Sequence, residues 1–226
     1  MTVSETTLPD IPGGWTERQF DIAGRAFTLI LPANPDAFLD DPVVHARHDQ
    51  DGYMPYWSYL WPTSLETAAA VLRSTWTPGT QALEIGAGTG LTGLAGLAMG
   101  LEVTFSDYDA LSVDLCLLNA RRNGFENGQG LVLDWRKPVD RKFAIIFGCD
   151  VIYEQPNHGP ILGLLHNMLA PQGECWLSDP GRHQADAFID LARSAGIVVT
   201  GHPVQREPFR GRPDGVTTIW KLRRND

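Results

Sequence analysis

The chain has 226 residues and a mass of 24.9 kDa, enough for one α/β domain of ordinary size or two small ones. Its 43% hydrophobic and 20% charged content excludes disordered, collagen-like and coiled-coil chains. The net charge of −9, from 18 basic and 27 acidic side chains, disfavours binding along nucleic-acid phosphates and favours encounter with basic protein surfaces.

Residues 1–14 are rich in Pro and Gly and predict a loose lead-in. They carry no basic stretch before an apolar run and no Arg before Arg18, so they do not read as a targeting segment. The three cysteines, Cys116, Cys149 and Cys175, have no zinc-site spacing. No apolar run approaches the roughly 20 residues of a membrane span. The expectation is a cytoplasmic protein with no metal, no membrane partner and no nucleic-acid partner. TERQFDI and RAFTLILP, separated by Ala23-Gly24, predict a hairpin. Residues 35–50 predict a weak helix, and DGYMPYWSYLWPT (51–63) an aromatic loop broken by Pro55 and Pro62. Residues 1–62 are thus expected to form an N-terminal extension packed on a domain of residues 63–226.

From residue 63 strands and helices alternate. Helices are predicted at 64–74, with Thr63 as cap, and at 91–99, 110–122, 158–169 and 185–195. Strands are predicted at 81–85, 102–106, 130–133, 143–148, 174–178, 197–200 and 217–222. Such alternation implies a mostly parallel sheet with helices on both faces, and ligands outside the carboxyl ends of its strands.

Leu83-Glu84-Ile85-Gly86-Ala87-Gly88-Thr89-Gly90 ends one strand and opens a helix. Glycines there turn the backbone sharply and let a ligand approach without a Cβ in the way. Asp107 ends the next strand, 21 residues after Gly86, the spacing at which a carboxylate meets a ribose diol. The glycines run GxGxG, and Glu84 just before them would repel a diphosphate, so the pattern suits a cationic ligand better than a dinucleotide.

These motifs resemble the class I S-adenosylmethionine-dependent methyltransferases, whose first motif is ExGxGxG followed by an acidic end to the second strand. The resemblance implies a Rossmann-like, seven-stranded α/β sheet with S-adenosylmethionine as cofactor. It implies cofactor contacts from Glu84, Gly86, Ala87, Gly88 and Asp107, with Trp135 as a wall for the adenine and Gly148 beside the fourth strand's end. Next comes Asp150-Val151-Ile152-Tyr153. An acid and a phenol three residues apart both reach one cleft if the segment starts a helical turn. The acid can hold a substrate ammonium and the ring can pack on it, so both are catalytic candidates.

With a Trp-Pro segment before the glycine loop and Leu133-Asp134-Trp135 after strand three, the Asp-x-x-Tyr string resembles methyltransferase family 16, mostly protein-lysine methyltransferases. Three further strings resemble its branch acting on the electron transfer flavoprotein β-subunit: Pro55-Tyr56-Trp57…Leu60-Trp61-Pro62, Ser178-Asp179-Pro180-Gly181-Arg182, and Thr217-Thr218-Ile219-Trp220. By resemblance Trp61 closes the cofactor pocket, and Tyr56, Trp57 and Arg182 are candidates for substrate contact. The implied function is methyl transfer to a lysine side-chain amine of a protein. A small-molecule N-methyltransferase and a non-catalytic S-adenosylmethionine-binding module are the alternatives.

Overall fold

The computed structural model describes residues 8–206 and 215–224; the start of the expected lead-in, residues 1–7, lies outside them. β1 (Trp15–Ile22) and β2 (Arg25–Pro32) form an antiparallel hairpin turned by Ala23 and Gly24, both at positive φ. Period-two alternation buries Phe27, Leu29 and Leu31 on one face of β2. A two-stranded ribbon is marginal by itself. Here it joins a core with Ala68 and Val71 of α2 (Pro62–Leu72) and Leu94 and Leu97 of α3 (Leu91–Ala98). Burying each Leu- or Phe-sized side chain contributes about 1.5–3 kcal/mol. Between hairpin and α2 lies α1 (Pro42–Asp51), capped by Asp41 and closed by Gly52 at φ +74°.

The main sheet contains β3 (Gln81–Ile85), β4 (Glu102–Asp107), β5 (Gln129–Val132), β6 (Phe143–Cys149), β7 (Leu169–Asp179), β8 (Val198–Arg206) and β9 (Gly215–Arg223). Its order is β5-β4-β3-β6-β7-β9-β8, parallel from β5 to β7, with β9 antiparallel to both neighbours. The expected Rossmann-like α/β class is therefore observed. α4 (Ala110–Arg122), α5 (His158–Met168) and α6 (His183–Ser194) complete the layers. A second core on the α5 and α6 side unites Leu83, Ile146, Leu164 and Phe188. The strand order reverses between β3 and β6, where Ile85 pairs with Gly148. A crevice must open outside the carboxyl ends at that switch point. Among the described residues, no helix is long and apolar enough to cross a membrane.

Three local expectations need correction. β7 begins at Leu169, not at 174: the register slips between Phe143 and Ile145, and Gln172 at φ +58° marks the irregularity that Pro171 and Gly173 made look like a helix end. β8, expected at 197–200, runs on to Arg206 through Gly201 and Pro203. It is an edge strand, where a missing N–H is tolerated. α2 begins at Pro62, with Trp61 as its cap residue, and the Thr63 hydroxyl is used elsewhere.

Candidate active site

The glycine loop is bound to the sheet by hydrogen bonds that its sequence makes possible. Gly86 and Gly88 sit at φ +57° and +54°, where any Cβ is strained. A Cβ on Gly86 would also meet Val151 Cγ1 at 2.9 Å and the Trp135 ring at 3.2 Å. Asp107, at the end of β4, accepts the Gly88 amide at 2.9 Å through one carboxylate oxygen and the Asp109 amide at 3.1 Å through the other. Glu84 turns its carboxyl to the first turn of α3 and accepts the Gly93 amide at 2.9 Å. Burial pushes the Glu84 carboxyl up to about 8, while the Gly93 and Thr92 amides oppose the shift. Burial also raises Asp107, against its amide donors.

On the other side of the switch point the chain leaves β6 through Asp150, a non-glycine residue at φ +56°. Residues held in this region are strained and collect at functional sites. The Asp150–Tyr153 stretch is not a helical turn, contrary to expectation; the left-handed residue aims both side chains into the crevice. Asp150 is buried and accepts the Thr63 hydroxyl through Oδ2, while Arg182 Nη1 lies 2.6 Å from Oδ1. Arg182 also lies 3.0 Å from Asp179. Asp179 in turn accepts the Gly181 and Arg182 amides, so the Asp-Pro-Gly-Arg turn is one bonded unit. Burial raises the Asp150 carboxyl, while Arg182 and Thr63 pull it down. His158 Nε2 donates to the Ile152 carbonyl at 3.1 Å and fixes the loop from beneath.

Aromatic rings close this end. Tyr153 meets Tyr56 edge to face at 5.6 Å, and Tyr56 meets Trp61 likewise at 6.3 Å. Trp61 Nε1 donates to the Tyr56 carbonyl at 3.0 Å. Burial pushes the Tyr153 phenol above its ordinary value, so it stays neutral. The Cys149 thiol, 3.1 Å from Thr92 Oγ1, is pushed up to about 12 by burial and stays neutral too.

Together these walls enclose a cleft of about 460 Å³, within the usual range for small-molecule sites. Trp61, Glu84, Gly86, Ala87, Gly88, Asp107 and Trp135 border it, and so do Asp150, Tyr153, Tyr56, Trp57 and Arg182. Gly148 does not: it is buried in β6, where a Cβ would strike Leu177, Ile85 and Val151 within 3.0 Å, so its glycine serves sheet packing. The Trp57 ring is buried edge-on against Phe38, and its backbone is what approaches Gly88. Arg182 borders the cleft while its Nη1 lies against two carboxylates, Asp150 and Asp179.

Sequence reasoning missed Thr63, and also Tyr53 and Asp109. The Tyr53 hydroxyl donates to Asp109 at 2.5 Å, Arg47 lies over the Tyr53 ring, and Tyr53 borders the cleft. The acidic doublet around Tyr108 was the only signal in the sequence. Among the described residues, no group of three His, Cys, Asp or Glu side chains could hold a metal ion.

Bare glycine backbone facing a ringed, acidic pocket fits a compact cofactor carrying a ribose and a cationic centre. Comparison with known proteins agrees. Residues 57–194 match the family described as lysine methyltransferase, methyltransferase family 16. The histone-arginine methyltransferase METTL23 of Rattus norvegicus is 28% identical over 152 residues, covering 63% of this chain and 68% of that protein. The protein N-lysine methyltransferase METTL21A of Xenopus tropicalis is 29% identical over 118 residues, covering 49% and 54%. The crystal structure of magnesium protoporphyrin IX methyltransferase from Synechocystis PCC 6803 with bound SAM superposes with a TM-score of 0.58 over 72% of this chain and 78% of that one. At 17% identity it shows the fold alone. The chain belongs to the lysine methyltransferase family, methyltransferase family 16, and is an S-adenosylmethionine-dependent methyltransferase.

Proposed function

We propose that this enzyme methylates the side-chain amine of a lysine in a protein, and that the cleft between Gly86 and Tyr153 holds cofactor and acceptor together. S-adenosylmethionine, when bound, supplies a methyl group on a sulfonium, open to in-line attack by a neutral amine. On this reading Gly86, Ala87 and Gly88 give backbone access, Asp107 accepts from the ribose hydroxyls, Trp135 walls the adenine, and Trp61 covers the cleft. Glu84 braces the loop and faces the cofactor's cationic end.

The acceptor side must bind a cation and yet deliver a free amine. A solvated lysine has a pKa of about 10.4. Tyr56, Trp61 and Tyr153 exclude water around its stem and lower that value. A lone carboxylate would raise it again. Asp150 shares the Arg182 cation, 2.6 Å away, with Asp179, so its charge is partly compensated and it can orient the amine without strongly holding it charged. That compensated carboxylate, aimed across the cleft from the glycine loop, is the observation that carries the proposal. Most of the rate then comes from alignment of the reacting atoms.

The acceptor protein itself is read from the strings at 55–62, 178–182 and 217–220, which make the electron transfer flavoprotein β-subunit the first candidate. We place the reaction in the cytoplasm, in keeping with three unpaired thiols. Incubation with radiolabelled methyl donor and either that subunit or whole lysate tests the reading. A discrete labelled protein band supports it, and label confined to small molecules contradicts it.

A further inference from the structure

Beside the apolar Val113, Leu115 and Ala120, the inner face of α4 carries a hydrogen-bonding stripe where a packed helix is normally apolar. Ser112, Cys116, Asn119 and Asn123 follow one another at i, i+4, i+7 and i+11, and the first three are fully buried. Each makes hydrogen bonds to other backbone. Ser112 Oγ donates to the Gly88 carbonyl at 2.9 Å and Cys116 Sγ at 3.4 Å. Asn119 Nδ2 donates to the Thr89 carbonyl at 3.0 Å and to the Ile30 carbonyl at 3.2 Å, while its Oδ1 accepts the Ile30 amide at 2.7 Å. Asn123 repeats the pattern one step along: Oδ1 accepts the Thr28 amide at 2.9 Å and Nδ2 donates to the Thr28 carbonyl at 2.7 Å. The two amides thus imitate a strand along the free edge of β2. Only Asn119 touches the glycine loop as well.

We propose that Asn119 is a positioning residue for the cofactor loop, and that it couples the loop to Ile30 of the N-terminal hairpin. The inference rests on the reading of Gly86–Gly90 as the cofactor loop. Gly88 and Thr89 offer their carbonyls to α4, which holds the opposite side of the loop toward the cleft. A buried carbonyl left without its donor moves to find another. Losing the Asn119 amide therefore frees the loop and the hairpin edge together, whereas losing Asn123, whose Nδ2 also donates to the Asn119 carbonyl at 2.8 Å, frees the hairpin edge and the last turn of α4 but not the loop. Coupling of this kind is reciprocal: what the hairpin gives the cofactor, the cofactor gives the hairpin.

The test compares Asn119→Ala with Asn123→Ala in the full chain. Expected for Asn119→Ala is a cofactor dissociation constant raised about tenfold by calorimetry, a raised cofactor KM with kcat little changed, and faster amide exchange across residues 86–93 in the cofactor-free protein. Expected for Asn123→Ala is a lowered Tm with affinity within about twofold. Equal effects of the two variants on affinity and exchange overturn the inference. Gly86→Arg serves as the control for the loop: if it leaves affinity unchanged, the cofactor-loop reading itself fails, whereas an effect of Gly86→Arg without one of Asn119→Ala defeats only the present inference. Should Asn119→Ala not fold, the wild-type chain decides: saturation with S-adenosylhomocysteine slows exchange of the Thr28 to Leu31 amides if the coupling exists, and leaves it unchanged if it does not.

Discussion

Arg182 Nη1 lies 2.6 Å from Oδ1 of Asp150, joining the turn after β7 to the strained exit of β6 at the edge of the cleft. The same nitrogen reaches Asp179 at 3.0 Å, so one guanidinium compensates two carboxylates that are nearly inaccessible to water.

Removing the carboxylate should separate chemistry from cofactor binding. Asp150→Ala is expected to lower methyl transfer at least about a hundredfold, some 2.7 kcal/mol, while the cofactor dissociation constant stays within about threefold. Calorimetry paired with single-turnover labelling checks both numbers. Loss of cofactor binding instead would move Asp150 to the other half of the site.

Removing the cation should cost stability and shift the pH profile. Arg182→Ala leaves Asp150 and Asp179 facing each other uncompensated, a loss of about 2–4 kcal/mol for a buried pair broken on one side. Asp179→Asn in the same background should recover part of it. Arg182 favours the charged form of Asp150, so without it Asp150 keeps its proton to higher pH. The acid limb of the methyl-transfer rate should therefore move upward in pH, which a set of buffered initial rates will reveal.

Gly86→Ala meets two obstacles, a left-handed φ and a contact of 2.9 Å with Val151. Cofactor affinity is expected to fall at least tenfold, about 1.4 kcal/mol. An unchanged dissociation constant would remove the glycine loop from the cofactor site.

Glu84 should give the cofactor-free protein a distinctive pH dependence. Its folded value of about 8 lies above its ordinary 4.5, so the folded state holds the proton more tightly than the unfolded one. The corresponding stability is complete below about pH 4.5 and is lost as pH rises through 8. Thermal melts from pH 5 to 9 should slope downward in the wild type and less so in Glu84→Gln, which keeps an acceptor for Gly93. Identical slopes would mean that Glu84 is ionised in the fold.

The parts of the site that were legible in the sequence are those made by neighbours in the chain. A strand end, a GxGxG run and an acid at the next strand end are local patterns, and Glu84, Gly86 and Asp107 fell where those patterns put them. Asp150 and Tyr153 were legible as chemistry, but the left-handed backbone that delivers them was not, because nothing about an aspartate announces a φ of +56°. Thr63 at the start of a helix reads as a cap; its partner is 87 residues away. Tyr53 and Asp109 are 56 residues apart, and no local pattern links them. Gly148 looked like the glycines of the loop, yet a glycine kept for sheet packing and one kept for a ligand are the same letter. The length of β8 was hidden by Gly201 and Pro203, which end a central strand but not an edge.

The relatives include both an arginine and a lysine methyltransferase by name, so the identity of the acceptor side chain is decisive. The most direct measurement is amino-acid analysis of the protein that the enzyme labels from a radiolabelled methyl donor. The label is expected as methylated lysine, and to disappear with Asp150→Ala. Recovery as methylarginine or methylhistidine would contradict it.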